Sequence, residues 1–208
     1  DYVSAWQISE EIPEPIHEKL MRRLRQNMAV GGMPEAVAAF AESENYKFCE
    51  EVKQDLLGTF SDDFAKYAKQ NDHALIREAF RKTPVILGRK VKYSEVSQDK
   101  KAVDVARVLD QLGLARVISK VLRCSANGLP LSAEENGKFF KLLFLDTGLV
   151  STLLNLSYQA LQQEDLLQVN SGALAEQWVG LYLCIPILVL SGVVGVALAI
   201  AATRWLLL

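Results

Sequence analysis

The residues of this sequence best equipped to act on a partner are cations, and they are clustered. Between His73 and Arg123 stand twelve Lys and Arg against five Asp and Glu, a local excess of seven positive charges. The whole chain has a formal charge of -2, so the other segments together carry -9. A basic middle between acidic flanks fits an anionic partner, or packing between the chain's own segments. Lys100, Lys101 and Arg107 fall on the polar side of the stretch DKKAVDVARVLDQLG, and Arg89, Lys90 and Lys92 precede it in GRKVKYS. On a helix laid into a major groove, the first three would contact phosphates or bases. Asp104 and Asp110 share that surface and oppose phosphate, so a solvated face or a protein-docking surface is the competing reading. Arg89, Lys90 and Lys92 are the next DNA-binding candidates.

Other chemistries find little support. No G-x-x-x-x-G-K-[ST] occurs, so the chain has no phosphate cradle of that kind. His17 and His73 lack a second ligand at metal spacing, and no metal site is expected. Cys49, Cys124 and Cys184 are scattered and odd in number, which fits a reducing compartment rather than a disulfide framework. Asp146, in LDTGL, reads as a helix cap. A catalytic acid there would need a partner carboxylate or a metal. The run EEVKQD at 50–55 reads as surface charge, and no catalytic residue is assigned.

The elements that must position these side chains are mostly helical. Apolar residues at helical spacing predict helices from Ile16 to Val30 and from Tyr46 to Lys69, the second with Phe48, Val52, Leu56, Phe60, Phe64 and Tyr67 along its core side. Between them Gly31 and Gly32 stop the first helix and Pro34 opens another; Gly58 marks a candidate bend. A short helix over 73–82 ends at Thr83-Pro84. An extended piece follows at 90–93, then Ser94 as a cap. The next helix starts near Asp99 and stops at Gly113. ARVISKVLRC and KFFKLLFLD read as paired strands around the turn-rich SANGLPLSAEENG, and TGLVSTLLNL and GALAEQWVGLYL as later helices. Residues 73–146 thus run helix, helix, helix, strand, loop, strand, the order of a winged helix. The expected fold class is mainly α with a small β-hairpin: a helical bundle plus a winged helix, then a C-terminal hydrophobic helix.

Three segments, VGGMPEAV (30–37), KLLFLDTGLV (141–150) and SGALAEQWVG (171–180), resemble the hallmark segments of the domain of unknown function DUF4143, over roughly residues 10–180. That domain lies C-terminal to the ATPase module of prokaryotic AAA-type ATPases. The resemblance implies a helical linker at 1–72 after a missing ATPase module, a winged-helix domain at 73–180, and ATP with magnesium as cofactors of the missing module, none being held by this chain. A start at Asp1 without a basic, apolar leader reads as a cut inside a longer protein. The expectation is a non-catalytic coupling module whose partners are its own ATPase module and DNA.

The chain ends differently from that family. Leu181 to Thr203 is 23 residues without a charge, at about 1.5 Å per residue enough to cross a bilayer core of about 30 Å. Arg204 and Trp205 stand where interface anchors sit. Ser191, Gly195 and Ala199 form a small-xxx-small row that would let two such helices pair as a homo-oligomer. The expectation is a transmembrane tail at 181–208 holding a cytoplasmic head on the inner or plasma membrane. The alternatives to a coupling module are therefore a tail-anchored membrane protein and the remnant of a truncated ATPase gene.

Overall fold

The computed structural model describes residues 12–67, 72–124, 135–162 and 171–184. The architecture is mainly helical with one two-stranded antiparallel sheet. Helices α1 (Glu14–Val30), α2 (Pro34–Ser43) and α3 (Tyr46–Tyr67) come first. Next are α4 (His73–Ile86), the single turn α5 (Tyr93–Val96) and α6 (Ala102–Leu114), followed by strands β1 (Ile118–Cys124) and β2 (Glu135–Phe144). The short helices α7 (Thr147–Leu153) and α8 (Tyr158–Gln162) lead to α9 (Ser171–Val179), which continues into a π-helical turn, Gly180–Cys184. Among the described residues no helix is long and apolar enough to cross a membrane. The expected span lies outside the described residues except for Leu181–Cys184, which belong to the π turn.

One core runs through elements on both sides of residue 73. Phe64 of α3 meets Phe80 of α4 edge-on at 5.0 Å between ring centroids, and Phe80 meets Phe144 of β2 at 5.4 Å. Val105, Leu109 and Leu112 of α6 join them with Ile118, Leu142 and Leu149, all fully buried. Burying each such side chain stabilises by about 1.5–3 kcal/mol, the main force holding the hairpin to the helices.

Several boundaries differ from the sequence reading. Helix α4 passes through Pro84 to Ile86, because Thr83, Pro84 and Ile86 are all buried and packing outweighs the missing amide. The Thr83 hydroxyl donates to the Ala79 carbonyl, 2.8 Å away. Ser94 lies inside α5 and does not cap it; Lys92 is the residue before that turn. Helix α6 begins after Lys101, not at Asp99, and Gly113 lies within its last turn. Arg116 then takes the left-handed conformation, φ 58°, that starts β1. Helix α3 is unbroken through Gly58 and is rotated from the expected register. Phe48 is 46% exposed, whereas Cys49, Lys53, Leu57 and Phe64 face inward.

Candidate nucleic-acid interface

The hairpin pairs Ile118 with Phe144 and proceeds in register to Leu122 opposite Phe140. There it shifts, so that Arg123 faces Asn136 and residues 137–139 of β2 are left unmatched. Such a bulge re-aims side chains. Phe139 lies in it, half-buried, and carries two cations over its ring. The Lys90 ammonium is 3.6 Å from the centroid and the Arg123 guanidinium 5.8 Å. Lys90 reaches the ring because residues 90–92 run extended beside β2. The Val91 amide donates to the Phe140 carbonyl at 3.0 Å, and Val91 is buried while Lys90 and Lys92 alternate outward. Together with Val121 and Leu122 these residues border an open groove of ≈ 430 Å³ on the hairpin. An apolar floor with an aromatic ring and a cationic border suits a ligand that is both anionic and planar.

Helix α6 is a poorer contact for phosphate than its sequence implies. Arg107 forms ion pairs with Asp72 and with Asp104, the latter at 2.8 Å. The two carboxylates hold its guanidinium above its ordinary pKa. Asp110 pairs with Lys120 of β1 at 2.5 Å. The outer surface of α6 is therefore neutralised internally, and it exposes two apolar residues, Val103 (77%) and Leu114 (85%). Lys100 and Lys101 are exposed just before the helix, without a carboxylate partner among the described residues. Arg89 lies 3.8 Å from Glu95 and donates to the Val85 carbonyl at 3.3 Å, so it is partly engaged. Thus the six candidate cations divide. Among the described residues Lys90, Lys92, Lys100 and Lys101 have no carboxylate partner, Arg89 is weakly held, and Arg107 is taken up. The structure adds Arg123 and Phe139, which the sequence reading passed over; the aromatic pair flanked by lysines in KFFK is a signal for Phe139.

The other polar concentration is buried, where α1 ends and α7 begins. Asp146 caps α7 by accepting from the Leu149 amide at 2.9 Å, and its other oxygen accepts from the Gly32 amide at 2.6 Å. A Cβ on Gly31 would come within 2.3 Å of that carboxylate, and Gly31 also adopts φ +81°, so glycine is required there twice over. Three of the last four carbonyls of α1 meet a donor. The Gly31 amide bonds Asn27, the Ser151 hydroxyl bonds Met28 at 2.8 Å, and the Lys53 ammonium bonds Ala29 at 2.6 Å. Lys53, assigned to a surface charge run by sequence, is only 2% exposed and also pairs with Glu50 at 2.8 Å. Its cation sits at the C-terminal end of α1, where the helix dipole favours it. Burial pushes the Cys49 thiol above its ordinary pKa despite the nearby Lys53, so it is a poor nucleophile. Burial likewise raises the Tyr182 phenol, whose oxygen would lie 3.0 Å from a Cβ placed on Gly32. Among the described residues no group of three or more His, Cys, Asp or Glu is placed to hold a metal ion. Both carboxylate oxygens of Asp146 are taken up by backbone amides, so it acts here as a structural cap.

Residues 21–160 match the family described as Domain of unknown function (DUF8612), and the chain belongs to that family. This corrects the resemblance to DUF4143, for which no match is shown. The expected ATPase module, with its ATP and magnesium, rested on that resemblance and is carried no further. No curated protein and no solved structure matches the chain.

Proposed function

We propose that this DUF8612 member is a non-catalytic nucleic-acid-binding module, with α4, α5, α6 and the hairpin arranged as a winged helix. Its contact surface is the hairpin and the segment leading into α6, rather than the outer face of α6. One observation carries this reading: Lys90, Lys92, Lys100, Lys101 and Arg123 are exposed and have no carboxylate partner among the described residues. Arg107 and Lys120, by contrast, are neutralised. Cations held clear of acids suit phosphate contacts, which are sequence-independent and salt-sensitive. The test is a titration of the full chain against a short duplex. Four phosphate contacts would weaken binding about a hundredfold between about 50 and 200 mM salt. No binding at low salt overturns the reading and leaves the exposed Val103 and Leu114 as the better guide, toward a protein partner.

A second reading concerns the tail, from one fact. Leu181–Cys184 belong to the π turn, and the Tyr182 oxygen would lie 3.0 Å from a Cβ placed on Gly32. The uncharged run left for a membrane is therefore Ile185 to Thr203, 19 residues. As a helix it would be about 28 Å long, still close to the thickness of a bilayer core. We propose that this run anchors a cytoplasmic head, with Ser191, Gly195 and Ala199 pairing two copies. Carbonate washing of membranes from cells expressing the full chain tests it; a soluble monomer overturns it.

A further inference from the structure

We infer that the groove beside Phe139 takes an unpaired base, so that the module binds single-stranded DNA in preference to duplex. The inference rests on the nucleic-acid reading above and adds the class of substrate. Three observations carry it. First, Phe139 is the aromatic residue that the register shift opposite Leu122 and Arg123 removes from the ladder. Its neighbour Phe140 stays in register and is buried. Phe140 fills the core, while Phe139 stands on the opposite face of the strand and remains half-exposed. Second, the groove it borders has an apolar floor of Val121 and Leu122 and is ≈ 430 Å³ in volume. A duplex presents phosphates on its outside and keeps the flat faces of its bases stacked inside, so it would leave this floor uncovered. An unpaired base offers its face to Phe139 while its flanking phosphates reach Lys90 and Arg123. Third, those two cations already lie over the ring, at 3.6 and 5.8 Å. A base stacking on that face would displace the Lys90 ammonium from the ring, leaving both cations beside it to meet the flanking phosphates. Charge complementarity commits the groove to an anion, and the aromatic, apolar floor commits it to one with planar rings.

The experiment compares three probes of matched length with the full chain: an oligothymidine strand, a blunt duplex, and inorganic polyphosphate, which has charge but no base. The strand is expected to bind at least about tenfold more tightly than either, since stacking one base on an aromatic side chain is worth about that factor. Phe139→Leu keeps an apolar side chain in the hairpin and is expected to weaken strand binding at least about tenfold, bringing it to the affinity of the duplex. Phe139→Trp is expected to keep the preference, with indole fluorescence quenched on adding the strand. Circular dichroism confirms that both variants are folded. Equal affinity for strand and duplex, polyphosphate binding as tight as the strand, or a preference that survives Phe139→Leu in a folded protein each overturns the inference. Failure of every probe to bind at low salt instead overturns the nucleic-acid reading beneath it.

Discussion

Charged side chains gather in two places in this molecule, and the two are opposite in kind. At the junction of α1 and α7, Asp146 and Lys53 are buried and their polar atoms are bonded to backbone amides and carbonyls. On the hairpin, Lys90, Lys92 and Arg123 are exposed and no carboxylate answers them among the described residues. The junction includes two of the most conspicuous sequence segments, GGMPEAV and LDTGLV, yet what they do there is close two helix ends against each other. The hairpin has no such signature and holds the groups that remain available to a partner. Prominent spacing of Gly and Asp marks where backbone must approach backbone. Availability for binding is decided by which cations the fold leaves unpaired.

The sharpest way to break the contrast is to remove the C-terminal segment. Gln177 of α9 is buried, accepts from the Phe144 amide at 2.8 Å and donates to the Phe144 carbonyl at 2.6 Å. Leu174 lies in the core, and a Cβ at Gly180 would meet Leu143 at 2.6 Å. A chain ending at 170 is expected to aggregate or to lose its cooperative thermal transition. One ending at 180 keeps α9, loses the Tyr182 contact with Trp178 and is expected to fold with a lower midpoint; equal stability of the two would show that α9 is dispensable.

Next in size is Asp146→Ala, which strands the buried Leu149 amide and the part-buried Gly32 amide. Hydrogen bonds to a charged group are worth about 1.5–3 kcal/mol each, so a loss of about 3–5 kcal/mol is expected in urea unfolding. A loss under about 1 kcal/mol, the worth of an ordinary surface cap, would place the junction among exposed features.

A smaller effect is expected from alkali. Burial holds the Cys49 thiol and the Tyr46 and Tyr182 phenols above their ordinary values of 9.0 and 10.0. As pH rises the unfolded chain releases these protons first, so the folded state binds more protons and stability falls. These groups contribute no loss below about pH 9 and a progressive one above it. Unfolding followed from pH 7 to 11 checks this, and Tyr182→Phe should flatten the decline.

The smallest effect sharpens the contrast within the basic region. Arg107→Gln is expected to change nucleic-acid affinity less than about twofold, because its guanidinium already answers Asp72 and Asp104. Replacing Lys90 and Arg123 together with Gln should weaken binding, lower the salt slope by about two phosphate contacts, and leave stability within about 0.5 kcal/mol. Anisotropy titrations at several salt concentrations separate the two; equal losses would return α6 to the interface.

What sequence could show follows from how local each determinant is. The Asp146 cap is visible because its partner, the Leu149 amide, is three residues away. The order of helices and strands from 73 to 146 is visible from apolar period and β-branched composition. Lys53 is not, since its carbonyl partners are 24 and 95 residues away and its charged neighbours imitate a surface run. Phe139 is hidden for another reason: strict alternation along β2 assigns it a face, and a shift set by the partner strand gives it a different setting. Pro84 shows burial overriding a local rule. Arg107 resembles a phosphate contact until Asp72, 35 positions earlier, is brought beside it.

The bonds that close the junction have a bearing on synthesis. Gly32 and Asp146 are separated by 114 positions, Met28 and Ser151 by 123, and Asn27 and Trp178 by 151. A ribosome adding about 5–20 residues per second needs on the order of ten seconds to make the second member of each pair after the first. Through that interval the last carbonyls of α1 emerge without the donors from α7, and the apolar stripes of α1 and α3 lack the surface they will cover. Long-range closure of this sort is slow in any chain. For this one it means that α1 is made well before α7 and α9, the elements whose side chains secure its end.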